Sequence, residues 1–182
     1  MNRAKHHANN RNDWETPPKE IARIKSIVPI VLDAAATAKN RIVPRHYNKR
    51  QNGLEMPWAD DGWTFWNPPY GARSLYEWCR KATLERSLGR SSVGLVPNNT
   101  DSVWFNTYIY SHLEDRWLVD GMLPVKGRIQ FLINGERPLS WSETKQEWVI
   151  SGNTGGSLYV FFDGGKSQPA MADVARGLPR SP

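Results

Sequence analysis

The spacing of apolar residues predicts three helices. The first starts after Thr16, which can cap it, and tolerates Pro17 in its first turn. The second runs from Ser74 to about Leu88, with apolar residues recurring on one face. The third begins with capping residues from Thr100 and continues to about position 109. Each helix therefore has one face to bury against another element.

Short apolar runs between and after these helices predict strands. The run "PIVLDAAA" reads as a buried strand that ends at Asp33, and the later runs are "TFW", "SVGLVP", "RWLV", "GRIQFLI" and "SLYVFF". Strands that alternate with helices are typical of α/β domains. We therefore predict a Rossmann-like, doubly wound, largely parallel sheet with an antiparallel edge.

The chain of 182 residues fits one domain. Polar, weakly hydrophobic sequence at both ends predicts flexible tails at 1–12 and 164–182, the first of them basic, around a domain at 13–163. Within the domain, the turn signal Asn134-Gly135 opens a polar stretch flanked by tryptophans, which predicts a surface hairpin at 134–156.

Charge is unevenly distributed along the chain. The net charge is +6, but residues 13–163 carry 18 basic and 17 acidic residues, so most of the excess lies in the tails. The stretch "KNRIVPRHYNKR" at 39–50 has five basic residues and no acidic one. It is either a DNA-phosphate contact or a solvated basic loop. The candidate contacts are Arg41, Arg45, Lys49 and Arg50.

Several classes of protein are disfavoured by composition. Cys79 is the only cysteine, so no internal disulfide or multi-cysteine metal site is expected, and a reducing cytoplasm is the natural compartment. No apolar run approaches the roughly 18 residues of a membrane span. The adjacent His6 and His7 lie in a polar tail without converging ligands, so no metal is predicted. The sequence predicts no particular oligomeric state.

The stretch "TFWNPPYG" places unusual chemistry directly after a strand. Ligands of doubly wound sheets bind beyond the carboxyl ends of the strands, where Asn67 to Tyr70 lie. Pro68 and Pro69 have no N–H, so they stiffen the turn and leave carbonyl acceptors. Asn67 adds an acceptor, and Tyr70 adds a flat ring with a polar tip. These groups suit a planar ligand that carries an NH2, although an ordinary proline turn is the alternative.

Such a loop would activate an exocyclic amine. The lone pair of an adenine amine is delocalised into the ring, which makes it a poor nucleophile. Two acceptors that bind its hydrogens favour a pyramidal nitrogen with an exposed lone pair. The methyl group of a sulfonium is an electrophile strong enough to complete the reaction without a metal.

Seven motifs, in order, give the chain a family resemblance. They are "DWETPPKEI", "LDAAATAKN", "NGL" followed by Trp58, "NPPYG", "DSVWF", "GRIQF" and "GSLYVFF". The chain resembles the phage-type DNA N6-adenine methyltransferases, the phage Dam family, over most of 13–163. The order and spacing of the motifs make the match specific.

The resemblance implies S-adenosylmethionine as cofactor, DNA as partner, and a phage or prophage enzyme that acts in the bacterial cytoplasm. It implies that Asn67 and the Pro68 carbonyl bind the amine of a flipped adenine, on which Tyr70 stacks, with Pro69 completing the loop. Cofactor-binding residues would be Trp14, Thr16, Pro17, Asp33 and Asn52. Arg128 would contact DNA phosphate and Phe131 the flipped base, although Phe131 is equally a core residue. A carboxylate at the position of Asp33 can also simply cap the next turn, which is the alternative to ligand contact.

Two departures from the family pattern keep alternatives open. Asn52 stands where the family usually has Asp, and the glycine-rich loop of many methyltransferases is missing. Both departures predict a weakened cofactor site. A methyltransferase acting on glutamine side chains in protein is one alternative, because the same loop suits any planar NH2. A catalytically idle DNA-binding homologue is the other.

Overall fold

The computed structural model describes residues 14–150 and 155–165. The predicted tail at 1–12, and residues 166–182 of the predicted second tail, lie outside the described residues. Within them, the helices are α1 (Pro18–Ile27), α2 (Ala72–Ser87) and α3 (Val103–Tyr108). The strands are β1 (Ile30–Asp33), β2 (Trp63–Trp66), β3 (Ser91–Pro97), β4 (Tyr110–Ser111), β5 (Arg116–Trp117), β6 (Gly121–Pro124), β7 (Leu139–Ser142), β8 (Glu147–Ile150) and β9 (Ser157–Phe162).

Five of these strands form the central sheet, in the order β1-β2-β3-β9-β6. β1, β2 and β3 pair in parallel, whereas β9 is antiparallel to both of its neighbours. β6 therefore runs in the same direction as β1 to β3. The predicted α/β class with a mostly parallel sheet is confirmed, but the predicted antiparallel edge is wrong. The antiparallel strand lies inside the sheet, because the chain enters between β3 and β6 after the β7–β8 hairpin.

Side chains alternate along the strands and build a hydrophobic core on each face of the sheet. On one face, Ile24 of α1 joins the cluster that contains Phe65 and Phe161. On the other face, α2 and α3 cover a cluster that contains Trp66 and Val160. A Cβ at Gly94 would lie 2.2 Å from the Trp66 ring, so only glycine in β3 lets this ring lie flat against the sheet. The two cores hold the strand ends of the central sheet in fixed positions.

No helix connects β1 to β2, and the described residues 34–62 form a series of turns instead. This segment is tied to the end of β1, because the Asp33 N–H donates to the Arg45 carbonyl at 3.0 Å and the Tyr47 N–H donates to the Asp33 carbonyl at 2.8 Å. The connection therefore lies beside the carboxyl ends of β1 and β2.

Three local predictions are wrong. The run "GRIQFLI" forms no strand: Leu132 and Ile133 make only isolated bridges, and Gly127 has a φ of +78° that breaks extended structure. Its alternate residues are buried against α1, which explains the strand-like pattern. In the run "RWLV", only Arg116–Trp117 is a strand. Thr16 does not cap α1, because the N-cap of that helix is Pro17. The N-cap of α3 is Ser102, within the predicted capping segment that starts at Thr100, although its side chain makes no cap hydrogen bond.

None of the described helices is long and apolar enough to cross a membrane. Among residues 14–150 and 155–165, no three His, Cys, Asp or Glu side chains are grouped as metal ligands.

Candidate active site

The Asn67-Pro68-Pro69-Tyr70 loop links the end of β2 to the start of α2. Its turn is closed by the Gly71 N–H, which donates to the Pro69 carbonyl at 3.0 Å. Pro68 is buried and Pro69 is exposed, while Asn67 and Tyr70 are half-buried. The loop is thus anchored in the protein and still reachable from solvent.

Asn67 presents a free acceptor beside a second one. Its Nδ2 donates to Thr16 Oγ1 at 3.1 Å. No described residue donates a hydrogen bond to Asn67 Oδ1 or to the Pro68 carbonyl. Both oxygens, one residue apart in the chain, therefore keep their acceptor capacity.

Tyr70 lies in an aromatic cluster with Trp14 and Phe131. The Trp14 and Phe131 rings stack with centroids 5.0 Å apart, and the Tyr70 ring meets Phe131 at an angle of 80° and a centroid distance of 5.8 Å. The Tyr70 hydroxyl is buried without a hydrogen-bond partner among the described residues, and this burial raises its pKa well above the ordinary value. Phe131 is 1% exposed, which fits the core alternative stated for it above.

A cleft of about 450 Å³ opens beside this loop. It lies beyond the carboxyl ends of β1 and β2, where ligands of α/β sheets bind. The segment after β1 and the turn at 48–54 supply most of its walls, and Pro69 and Trp78 close it on the α2 side. This volume is within the range of ordinary small-molecule sites.

The cleft depends on small residues that the sequence interpretation did not assign to the site. Ala34, Ala35 and Ala36 line it directly after β1. Gly53 packs against them so closely that a Cβ would lie 2.1 Å from the Ala34 carbonyl oxygen. The sequence signal for this wall of the cleft is the run of three alanines directly after Asp33. Small side chains let a ligand approach the backbone, as glycines do.

Asn52 lines the same cleft in a left-handed backbone conformation, with a φ of +55°. Its Oδ1 accepts from the Leu54 N–H at 3.3 Å, and its Nδ2 donates to Glu55 Oε1 at 2.7 Å. Asn is among the residues that best tolerate this conformation. Asn52 therefore shapes the turn that carries Gly53, in addition to facing the cleft.

Asp33 is buried behind the cleft. Its two carboxylate oxygens accept from the backbone N–H groups of Ala35 at 3.3 Å and Ile42 at 3.1 Å. Burial raises the pKa of this carboxyl from 3.8 to about 6, against the opposing effect of these hydrogen bonds. Its geometry matches the turn-cap alternative, in which Asp33 fixes the loop that follows β1.

A second, much smaller cavity lies on the other side of that loop. Trp14, Thr16, Asp33 and Asn67 line it, and it shares Ala35 and Asn40 with the cleft. Its volume of about 10 Å³ has room for no more than one water molecule. Pro17 lines neither cavity, and its carbonyl accepts the first hydrogen bonds of α1.

The sequence profile of the family described as "DNA N-6-adenine-methyltransferase (Dam)" matches residues 3–174. The chain belongs to this family. A DNA N-6-adenine-methyltransferase of Escherichia phage T1 is 24% identical over 149 residues, which cover 81% of this chain. The chain spans 61% of the length of that relative. The resemblance stated from the motifs is confirmed.

The basic residues predicted to contact DNA are all exposed in this Dam-family chain. Lys49 lines the cleft, whereas Arg45 forms an ion pair with Asp61 at 2.9 Å. Arg128 lies in the irregular segment after β6, near the same end of the sheet as the Asn67 loop. No described acidic side chain pairs with the remaining two, Arg41 and Arg50.

Proposed function

We propose that the protein is an S-adenosylmethionine-dependent DNA methyltransferase that acts on the exocyclic amine of an adenine flipped out of DNA. One observation carries the proposal: in a chain of the Dam family, Asn67 Oδ1 and the Pro68 carbonyl are free acceptors beside a cleft of cofactor size. The phage origin of the relative supports a phage or prophage enzyme that works in bacterial cytoplasm.

The two acceptors bind the two hydrogens of the adenine amine. This interaction favours the pyramidal nitrogen, whose lone pair is free to attack, over the planar one of the unbound base. Because the loop is stiffened by Pro68 and Pro69, the acceptors are in place before the base arrives, and little reorganisation is needed. Tyr70 lies next in the chain and provides a ring for stacking on the base, as base-flipping enzymes require.

The cleft fits the cofactor by size and by the chemistry of its walls. Asn40, Asn48 and Asn52 offer polar contacts for an amino acid or a ribose, and Tyr47 and Trp78 offer flat apolar surfaces for a nucleobase. When bound, S-adenosylmethionine supplies an electrophilic methyl group. Asp33 contributes indirectly, because it holds Ala35 and Ile42 in the loop that forms one wall.

The exposed basic residues Arg41, Lys49, Arg50 and Arg128 bind phosphates on either side of the flipped nucleotide. They lie on loops near the carboxyl ends of the parallel strands, so phosphate contacts there orient the duplex toward Asn67. The same arrangement supports a Rossmann-like assignment for the sheet, since its site lies where ligands of such sheets bind.

The family membership favours DNA over protein as the substrate. The three alanines after β1 and the left-handed Asn52 also give a structural account of the missing glycine-rich loop and of the Asp-to-Asn departure. Neither feature requires an idle site.

The test is to incubate the protein with labelled S-adenosylmethionine and a mixture of DNA, RNA and protein, and to identify the labelled product. We expect N6-methyladenine in DNA. The Asn67→Ala variant should lose roughly 10²-fold or more in single-turnover rate while cofactor affinity barely moves, because one preorganised acceptor is removed. Asn67→Asp keeps an acceptor oxygen and should retain far more activity. Label in protein alone would refute the proposed function.

A further inference from the structure

The hydroxyl of Thr16 contacts the NH2 end of the Asn67 carboxamide, opposite its free acceptor Oδ1. Thr16 is 7% exposed, and its Oγ1 accepts from Asn67 Nδ2 at 3.1 Å although 51 positions separate the two residues. We propose that Thr16 is a positioning residue that orients the Asn67 carboxamide with Oδ1 toward the target amine. This inference rests on the proposed function of Asn67.

Orientation matters because the two ends of a carboxamide have nearly the same shape and opposite hydrogen-bonding roles. If the Asn67 group turned over, its NH2 would face the NH2 of the base, and two donors would meet. The Thr16 hydroxyl gives the inward NH2 a partner. Without that hydroxyl, the productive orientation would leave a half-buried donor unsatisfied, and other orientations would compete with it.

Thr16 is itself held by contacts from the residue before it. The Glu15 N–H donates to the Leu132 carbonyl at 2.8 Å, and the Leu132 N–H donates to the Glu15 carbonyl at 3.1 Å. The Glu15 carboxylate accepts from the N–H groups of Asn134 and Gly135, both at 3.0 Å. These two turn residues have φ values of +52° and +76°, which aim adjacent N–H groups at one carboxylate. Thr16 is therefore fixed against a distant part of the chain.

The other roles considered for Thr16 do not use its hydroxyl. α1 has Pro17 at its N-cap and no side-chain cap, so Thr16 does not cap it. Thr16 is also not among the residues that line the 450 Å³ cleft. The contact with Asn67 is what the structure assigns to the hydroxyl.

A hydroxyl also suits the Asn67→Asp variant, because it can donate to a carboxylate as readily as it accepts from an amide. The retained activity expected of that variant therefore depends on Thr16. A valine at position 16 has nearly the shape of threonine but can neither donate nor accept, whereas a serine keeps the hydroxyl.

The experiment compares Thr16→Val, Thr16→Ser, Asn67→Ala and the Thr16→Val/Asn67→Ala double variant by single-turnover DNA methylation at saturating cofactor. We expect Thr16→Val to be slower by roughly 10-fold or more, and Thr16→Ser to recover most of the rate. The double variant should be no slower than Asn67→Ala alone, because Thr16 acts through Asn67. Cofactor affinity by calorimetry and the melting temperature should stay close to those of the parent. Additive losses, or a Thr16→Val variant as fast as the parent, would overturn the inference.

A second readout does not depend on activity. The ¹⁵N side-chain amide resonance of Asn67, assigned by its absence in Asn67→Asp, should shift in Thr16→Val and remain near its parent position in Thr16→Ser. An unchanged resonance in Thr16→Val would refute the contact. A parent that methylates no DNA would refute the proposed function, and the resonance alone would then decide the placement of Thr16.

Discussion

Replacing Gly53 with alanine tests whether the cleft beside the Asn67 loop is the cofactor site. A Cβ at this position would lie 2.1 Å from the Ala34 carbonyl oxygen and 3.0 Å from the Trp78 ring. The closest neighbour is a backbone atom at the end of β1, which cannot rotate away as a flexible side chain can. The added methyl group must therefore push the turn at 48–54 away from β1.

The size of the effect follows from that distance. Restoring an ordinary contact requires a shift of roughly 1 Å, and overpacking of this kind costs about 1–3 kcal/mol. The displaced turn carries Asn52 and Leu54, which line the cleft. Because the proposed site uses the turn in its parent position, cofactor binding has to restore this strained contact. Since about 1.4 kcal/mol corresponds to tenfold in affinity, the Kd for S-adenosylmethionine should rise roughly 10-fold or more.

Calorimetry with S-adenosylmethionine and thermal unfolding would measure the two effects of Gly53→Ala. Gly156→Ala is the matched control, because its Cβ would lie 3.5 Å from the Asn98 side chain, which is an ordinary contact. That substitution should leave cofactor affinity unchanged and stability equal or higher by up to about 1 kcal/mol. If Gly53→Ala bound the cofactor as tightly as the control while remaining folded, the cleft would not be the cofactor site.

Three further outcomes are expected. Since burial raises the folded-state pKa of Asp33 from 3.8 to about 6, the contribution of this group to stability is present below pH 4 and is lost as pH rises to 6. The difference in unfolding free energy between the parent and Asp33→Asn, measured by denaturant titration, should therefore change by up to about 3 kcal/mol over that range. A constant difference would contradict this prediction. The buried Glu85 carboxylate pairs with Lys81 at 2.5 Å and with Arg90 at 2.8 Å. Glu85→Ala leaves both cations without their partner, so it should destabilise the protein by about 3 kcal/mol in urea unfolding, and a loss below about 1 kcal/mol would argue against this. Neutralising the predicted phosphate contacts of the 39–50 stretch should weaken binding to all DNA sequences alike and flatten its salt dependence, with the smallest effect at the ion-paired Arg45; these contacts are Arg41, Arg45, Lys49 and Arg50. Unchanged salt slopes would identify a solvated loop.

Local sequence was sufficient to predict the features that neighbouring residues determine. The apolar strand before Asn67, the helix after it and the turn at Asn134-Gly135 follow from residues within a few positions. The strand predicted at "GRIQFLI" is wrong, because burial of every second residue against α1 produces the same alternation of apolar residues as burial in a sheet.

Long-range contacts could not be predicted in this way. Local sequence predicts that the Thr16 hydroxyl caps a helix, because no local pattern reveals a partner 51 positions away. The close approach of Gly53 to Ala34 was equally hidden, since it depends on how the turns of 34–62 fold back on β1. The motif resemblance indicated that the stretches containing Thr16, Ala34, Gly53 and Asn67 serve one site. The structure gives the contacts between them.

The position of β9 inside the sheet has a consequence for synthesis on the ribosome. β9 is the last described strand in the chain, yet both β3 and β6 pair with it. Until residues 157–162 have left the exit tunnel, the nascent chain carries two open strand edges and two incomplete cores. Open edges of this kind recruit other chains, so the nascent protein is exposed to aggregation until β9 is inserted. Chaperone dependence during expression should therefore persist until this strand emerges.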